Sequence, residues 1–185
     1  MRLVLVGTLT ALFTASPIGV FAQPTSATDV TKAEIEAVLA SMDGSIDRQI
    51  KVVDIGDANL AVGILHRDAT EGDGSGPIRG LVHSRVTEVY YVLSGGGTLV
   101  TGGTVADRRD FAADAQITTV LVGPSYGGMS EGGQSREIAA GDIVVIPAGV
   151  FHAWSHIPDH VTYLSIRPDL DKLLPTGYVN PTLDQ

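Results

Sequence analysis

The sequence predicts an all-β fold, an antiparallel β-barrel or sandwich preceded by one short helix, and three observations support this. Short apolar stretches rich in Val, Ile and Tyr recur along the chain, as in residues 50–55, 60–66 and 161–167. Turn residues separate these stretches, and the chain has 22 glycines to supply them. No internal repeat and no helical crossover interrupts the series. Short strands joined by tight turns are typical of antiparallel sandwiches and barrels.

The N-terminal residues 1–22 have the features of a secretory signal peptide. Arg2 precedes an apolar run, and small residues end that run at Ala22, after which we expect cleavage. Pro17 and several polar residues interrupt the run, which disfavours a transmembrane anchor. Residues 23–30 form a polar linker. The sequence therefore predicts a secreted or periplasmic protein that leaves the membrane once the signal is cleaved.

The composition of the chain excludes several classes of function. About 160 residues follow the predicted signal, which is enough for one domain with its own core. Acidic residues outnumber basic ones by 21 to 12 and no basic cluster occurs, which disfavours binding to nucleic acid or to anionic membranes. The chain has no cysteine, which excludes disulfides, thiolate metal ligands and a cysteine nucleophile.

A short helix is predicted to begin after Thr31. Thr31 and Glu34 have the spacing of a capping box, in which each side chain accepts from the backbone N–H of the other residue. Apolar side chains follow at helical spacing, namely Ile35, Val38, Leu39 and Met42. Gly44 is expected to stop the helix. We expect it to pack against the outside of the barrel, with an oligomer contact as the alternative.

Three later segments complete the coarse prediction. Residues 117–122 are apolar and β-branched, which predicts a strand. Residues 123–133 are rich in glycine and are predicted to be a loop, either a lid over the barrel mouth or a surface excursion. The residues after Pro175 resemble an arm, which in barrels of this type can lie against a second copy, so a homodimer is one expectation.

The stretch from Gly141 to His152 predicts two strands joined by a rigid corner. Gly141 allows a chain reversal, and residues 143–146 are an unbroken β-branched run, which predicts a strand buried on both faces. Pro147 has no N–H for a strand ladder and ends that strand. Gly149 permits the next sharp turn, so that His152 begins a strand and can point into a barrel mouth.

This stretch resembles the second sequence motif of the cupin superfamily. Gly141, Pro147, Gly149 and His152 match the spacing of that motif, in which the His binds a metal ion. His156 stands where the family pattern has Asn.

Residues 74–95 resemble the first motif of the same superfamily. His83 and Glu88 stand at the second His and the Glu of that motif, and Gly95 stands at its closing Gly. Leu81 occupies the position of the first metal-binding His, which is the main departure from the pattern.

The resemblance implies a single cupin domain over residues 31–185, folded as a jelly-roll barrel. Motif 1 covers about 74–95 and motif 2 about 141–156. Resemblance also implies a metal-dependent enzyme acting on a small organic molecule, of the dioxygenase, isomerase or lyase type. Two alternatives are a barrel that binds a small ligand without turnover and a metal-free structural barrel, because a fold alone does not choose the reaction.

His83, Glu88 and His152 are the predicted metal ligands. Imidazole and carboxylate suit divalent first-row metals such as Fe, Mn or Zn, and this set leaves open positions for substrate or dioxygen. Leu81 shares the strand face of His83 and offers an apolar wall, so the metal has one more open position or binds more weakly. The alternative is a barrel without metal, in which Glu88 pairs with His83 or with Arg85, since a buried carboxylate needs a partner.

His156 and Tyr90 are the predicted catalytic residues. Strand alternation puts His156 on the face of His152, where it can complete the metal shell or act as an acid or base; the alternative is a hydrogen bond to a loop. Tyr90 shares the face of Glu88 and is expected to line the pocket and move protons, with core packing as the alternative. His66 ends a strand and is a further candidate for the mouth.

Overall fold

A computed structural model describes residues 26–184, which form one α-helix and ten β-strands. The predicted signal peptide, residues 1–22, and the first part of the predicted linker lie outside the described residues. Helix α1 spans Lys32–Ala40. Within residues 26–184, no helix is both long enough and apolar enough to cross a membrane.

The ten strands pair with one another in antiparallel fashion, which confirms the predicted fold class. In chain order they are β1 (Asp47–Asp54), β2 (Asn59–Asp68), β3 (Arg79–His83), β4 (Glu88–Thr101), β5 (Thr104–Asp110), β6 (Ser125–Glu131), β7 (Gln134–Ala139), β8 (Ile143–Ile146), β9 (His152–His156) and β10 (His160–Asp169). A π-helical turn, Ile117–Leu121, lies between β5 and β6, and a 3-10 turn, Pro181–Asp184, ends the described chain.

Two sheets share strand β4 and enclose the barrel interior. The first sheet has the strand order β1-β2-β10-β4-β8, and the second has the order β7-β4-β9-β3-β6-β5. The largest apolar cluster of the interior draws on both sheets and includes Leu65, Tyr90, Val92, Leu99, Val144 and Tyr163. This arrangement of two facing sheets is a jelly-roll barrel.

Strand β4 passes from one sheet to the other at Gly95. Before Gly95 the strand pairs with β10 and β8, and after it the strand pairs with β7 and β9. Gly95 has φ of 69°, and a Cβ at this position would lie 1.9 Å from the carbonyl oxygen of His160. Only glycine fits this bend. The bend sets Glu88, on the first sheet, opposite β3 and β9 of the second.

Helix α1 has the predicted capping box at its N-terminus and packs where the sequence predicts, against the outside of the barrel. Thr31 Oγ1 accepts from the Glu34 N–H at 3.2 Å, and the Glu34 carboxylate accepts from the Thr31 N–H at 2.8 Å. Val38 is fully buried against Ile50 and Ile64 of β1 and β2. The prediction that the helix covers the outside of the barrel is therefore confirmed.

The prediction that residues 143–146 are buried on both faces is wrong. Ile143 and Val145 are 66% and 62% exposed, whereas Val144 and Ile146 are buried. Strand β8 pairs with β4 alone, so it lies at a sheet edge with one face in the core. A β-branched run suits such a half-exposed strand as well as a fully buried one.

Two predictions for the middle of the chain are also wrong. Residues 117–121 form a π-helical turn rather than a strand. Most of the glycine-rich stretch 123–133 is strand β6, which pairs with β3 and β5, so it is neither a lid nor a surface excursion. Glycine is needed within this strand because a Cβ on Gly128 would lie 2.3 Å from Val105 Cγ1 of β5.

The C-terminal segment packs on its own barrel. The Val52 N–H of β1 donates to the Tyr178 carbonyl at 2.9 Å, and the Asn180 amide donates to the Gln49 carbonyl at 2.7 Å. The segment therefore covers the free edge of β1, which would otherwise expose unpaired backbone groups.

Candidate metal site

The three predicted metal ligands lie together at the junction of the two sheets. His83 ends β3, Glu88 begins β4 and His152 begins β9, and their ligand atoms lie within 4.8 Å of one another. The three residues are 4%, 2% and 5% exposed. Leu81 is paired with His152 across β3 and β9, so the predicted apolar wall lies beside the ligands.

Hydrogen bonds from Nδ1 fix which ring nitrogen of each histidine carries the proton. His152 Nδ1 faces the Val150 carbonyl at 3.2 Å, and a carbonyl can only accept, so Nδ1 is the donor. His83 Nδ1 lies 2.8 Å from Ser125 Oγ, and Ser125 gives its own proton to the Gly123 carbonyl at 2.9 Å. Both neutral rings therefore present an Nε2 lone pair.

Both of these lone pairs are directed at one carboxylate oxygen. His83 Nε2 lies 3.1 Å and His152 Nε2 lies 3.3 Å from Glu88 Oε2. Lone pairs repel a carboxylate oxygen at such distances unless a proton or another cation lies between them. A divalent cation bound by two Nε2 atoms and one carboxylate oxygen satisfies all three groups, so the residues present fit a metal ion.

The electrostatics of the site favour the unprotonated forms that bind metal. Burial lowers the pKa of His83, which disfavours an imidazolium as the bridging cation. Burial alone would raise the pKa of Glu88, but its polar neighbours, among them the permanently charged Arg167, hold it well below its usual value. Glu88 is therefore ionised and His83 is available as a neutral ligand.

The second oxygen of Glu88 is held by groups that the sequence analysis missed. Ser165 Oγ donates to Glu88 Oε1 at 2.7 Å, and Arg167 Nε donates to the same oxygen at 3.0 Å. Arg85, the partner considered for a metal-free barrel, instead pairs with Asp171 at the surface. Side-chain alternation along strand 161–167 puts residues 165 and 167 on its inward face, and this pattern in the sequence could have indicated both residues.

Arg167 is fully buried, and each of its three guanidinium nitrogens donates to the protein. Its Nη1 donates to Gln49 Oε1 at 2.7 Å and to the Leu121 carbonyl at 3.1 Å, and its Nη2 pairs with Asp47. The pKa of Arg167 is raised above its usual value because Asp47 and Glu88 outweigh the effect of burial. Arg167 therefore stays charged and holds Glu88 in one orientation.

Tyr90 lies where the sequence predicts. Its OH donates to Glu88 Oε2 at 2.9 Å, and its ring is buried 4.4 Å from that of Tyr163 by centroid distance. Burial and the negative charge of Glu88 raise its pKa well above the usual value. Tyr90 therefore remains protonated and can donate a hydrogen bond at the site.

A cavity of about 480 Å³ opens beside the ligands. Its wall is mostly apolar and comes from both sheets and from the π-helical turn. Apolar and aromatic lining residues are Leu65, Leu81, Phe111, Ile117, Leu121, Val122 and Trp154. His83, Glu88, Tyr90 and His152 line the same cavity. The volume suits a small organic molecule.

The other two candidate histidines lie away from the three ligands. His156 Nδ1 is 3.4 Å from Thr70 Oγ1 of the loop after β2, and His156 is not among the residues that line the cavity. His66 hydrogen-bonds Thr162 Oγ1 at 2.8 Å and stacks on His160. The predicted catalytic role of His156 stays a prediction.

Replacing Ser125 by Ala is expected to weaken metal binding by about 10- to 100-fold, because Ser125 orients the ring of His83. The dissociation constant for Zn(II) would be measured by competition with a chromogenic chelator. Ser130→Ala is the matched control, since Ser130 lies on the same strand and donates only to the Gly132 carbonyl. Equal affinity of Ser125→Ala and the unmodified protein would contradict the assigned role.

The described residues have the cupin-type β-barrel fold, with the two motifs meeting at a site of two histidines and one carboxylate. No protein-family model matches the chain, and no curated protein matches it. Solved structures that resemble it include the BH2720 protein of Bacillus halodurans, at 16% identity and a TM-score of 0.46 over 85% of this chain and 92% of that one.

Two further solved structures are similar to the chain. DMSP lyase DddQ from Ruegeria pomeroyi has 15% identity and a TM-score of 0.42, over 74% of this chain and 53% of that one. A cupin protein from Bacteroides fragilis has 18% identity and a TM-score of 0.36, over 73% and 86% of the two chains. These likenesses concern the fold, and nothing about the activity of this chain follows from them.

Proposed function

We propose that this chain is a metal-dependent enzyme acting on a small organic molecule, of the lyase, isomerase or dioxygenase type. One observation carries the proposal. Two buried imidazole lone pairs and one ionised carboxylate oxygen converge at the wall of a cavity of about 480 Å³. Such a set is costly to bury unless a cation completes it, and the cavity leaves room for a substrate beside that cation.

The chain supplies the ligands and the surroundings of the reaction. His83 Nε2, His152 Nε2 and Glu88 would hold the ion, which when bound supplies a Lewis acid or a position for dioxygen. Arg167 and Ser165 keep Glu88 in place through its other oxygen. The apolar part of the cavity wall would pack against the body of the substrate.

Tyr90 is the residue we assign to proton transfer or hydrogen bonding to the substrate. Its OH lies beside the ligand set and its ring lines the cavity. Because its pKa is raised, it acts from the protonated form. His156 is a predicted acid or base from the sequence, but the contact with Thr70 supports its alternative role as a loop partner.

A second candidate function is a barrel that binds a small ligand without metal or turnover. Arg167 supports it, since this buried cation already gives Glu88 a counter-charge. Export and assembly as a homodimer stay predictions from the sequence.

Metal loading of the unmodified protein separates these candidates. After treatment with a chelator, the mature chain is expected to take up about one Fe(II), Mn(II) or Zn(II) ion, as measured by mass spectrometry of the metal content. Loaded samples would then be assayed against a panel of small organic acids, sugars and phenols. Metal uptake with turnover of a compound would support the enzyme, whereas absence of uptake would contradict the metal site and favour the metal-free binding barrel. His66→Ala is the control variant and should load normally, because His66 lies outside the site.

A further inference from the structure

The arginines of residues 26–184 fall into two groups by their partners. Four pair with a carboxylate, namely Arg48, Arg85, Arg108 and Arg167. Four others form no ion pair within the described part of the chain, namely Arg67, Arg79, Arg109 and Arg136. Three of these four, Arg67, Arg79 and Arg109, line the cavity beside the metal ligands. Uncompensated positive charge is therefore concentrated at one place in a chain whose net charge is −9.

Arg67 is the most enclosed of the three. It lies on the inward face of β2, two residues after Leu65, and is partly buried. Its Nε donates to the Tyr163 OH at 3.3 Å, and this is the one hydrogen bond that its side chain makes within residues 26–184. Burial alone would lower the pKa of Arg67, but Tyr163, Tyr90 and Asp47 hold it above its usual value. Arg67 is therefore a charged group whose guanidinium Nη atoms keep free donors.

The acids of the cavity form no ion pair with Arg67. Asp47 and Glu88 are the acidic residues that line it, and both pair with Arg167. Trp154 Nε1, another lining group, donates to the same Tyr163 OH at 3.4 Å and so offers no acceptor. A partly buried guanidinium beside apolar walls needs an anion to satisfy it.

We propose that the cavity binds an organic monocarboxylate, with the carboxylate held by Arg67 and the apolar body against Leu81, Phe111 and Trp154. A guanidinium fork matches a carboxylate in shape and charge. Arg79 and Arg109 are exposed side chains at the same cavity and attract anions towards it. A monocarboxylate is then the substrate class of the proposed enzyme. Its turnover rests on the proposed function, but its binding does not, since the contacts with Arg67 need no metal.

Binding to the metal-free mature protein tests this inference without interference from carboxylate–metal contacts. Phenylacetate and hexanoate would be compared with 2-phenylethanol and hexanol by titration calorimetry. Each acid is expected to bind at least about tenfold more tightly than the alcohol of matching size, because of the charge-assisted hydrogen bonds. Arg67→Met should abolish that preference, and Arg67→Lys should retain part of it.

Arg136→Met is the matched control. Arg136 also lacks a carboxylate partner, but it donates to Thr101 Oγ1 and does not line the cavity, so its removal should leave the preference unchanged. Thermal unfolding of each variant checks that it is folded. The inference is overturned if the unmodified protein shows no preference for the acids, or if Arg67→Met keeps the full preference.

The same samples keep this inference separate from the proposed metal site. Loss of acid preference with normal metal loading would refute the carboxylate site alone. A preference that depends on Arg67 in a protein that takes up no metal would support the carboxylate site and refute the metal-dependent enzyme.

Discussion

His152→Ala is expected to lower the affinity for a divalent metal ion by more than about 100-fold, since loss of a direct ligand exceeds the effect of losing an outer partner. His152 supplies one of three ligands, and its ring lies 4.9 Å from that of His83 by centroid distance. Leu81, its neighbour across the strands, has no donor atom that could take its place. Metal content after dialysis against a weak chelator would measure the loss, and any turnover should disappear with it.

His160→Ala is the control for this variant. His160 interacts with Asp159 and Ser94, away from the three ligands, so its removal should not change the metal content. Full metal occupancy in His152→Ala would show that the ligand assignment is incorrect.

Arg167→Met is expected to lower the free energy of unfolding of the metal-free protein by about 3–5 kcal/mol, because it breaks a buried ion pair from one side. Glu88 loses one of its two partners on Oε1, and Asp47 loses its cation. Burial already raises the pKa of Asp47 even beside Arg167, so without Arg167 the ionised form is harder still to keep. Urea denaturation followed by tryptophan fluorescence would measure the change.

Arg85→Met separates this effect from the loss of any ion pair. Arg85 and Asp171 form a largely exposed pair, and such pairs contribute about 0–1 kcal/mol. If Arg167→Met and Arg85→Met were equally stable, Arg167 would not be the structural centre that its contacts indicate.

The features that the sequence predicts well are those encoded by local spacing. Thr31 and Glu34 define the helix start because a capping box involves residues three apart. His83, Glu88 and His152 are singled out because the stretches around them resemble two family motifs, and the structure brings these three side chains together. Short strands between turn residues predict an antiparallel sandwich or barrel, and the family resemblance implies the cupin-type barrel that the strand pairing shows.

The features that the sequence did not reveal depend on pairing between distant strands. Ser165 and Arg167 reach Glu88 because β10 pairs with β4, with Ser165 opposite Tyr90. Arg67 faces the cavity because β2 pairs with β10. Residues 117–121 combine apolar character with helical geometry, and such a short apolar run suits either a strand or a helical turn.

The place of His156 shows how an irregular pairing limits an argument from alternation. The pairing of β4 with β9 shifts register between Thr98 and Leu99, and His156 pairs with Thr98 just at that shift. Regular alternation from His152 would put both rings on one face, but His156 Nδ1 contacts Thr70.

Part of the cavity wall and the proposed metal ligands come from different kinds of structure. The ligands stand on β3, β4 and β9, each paired within the sheets. Phe111, Ile117 and Leu121 line the cavity from the connection between β5 and β6. This connection is not part of either sheet. Substitutions in that connection can therefore change which molecules the cavity binds without changing the proposed metal ligands. Directed evolution of substrate selectivity in this barrel should begin there.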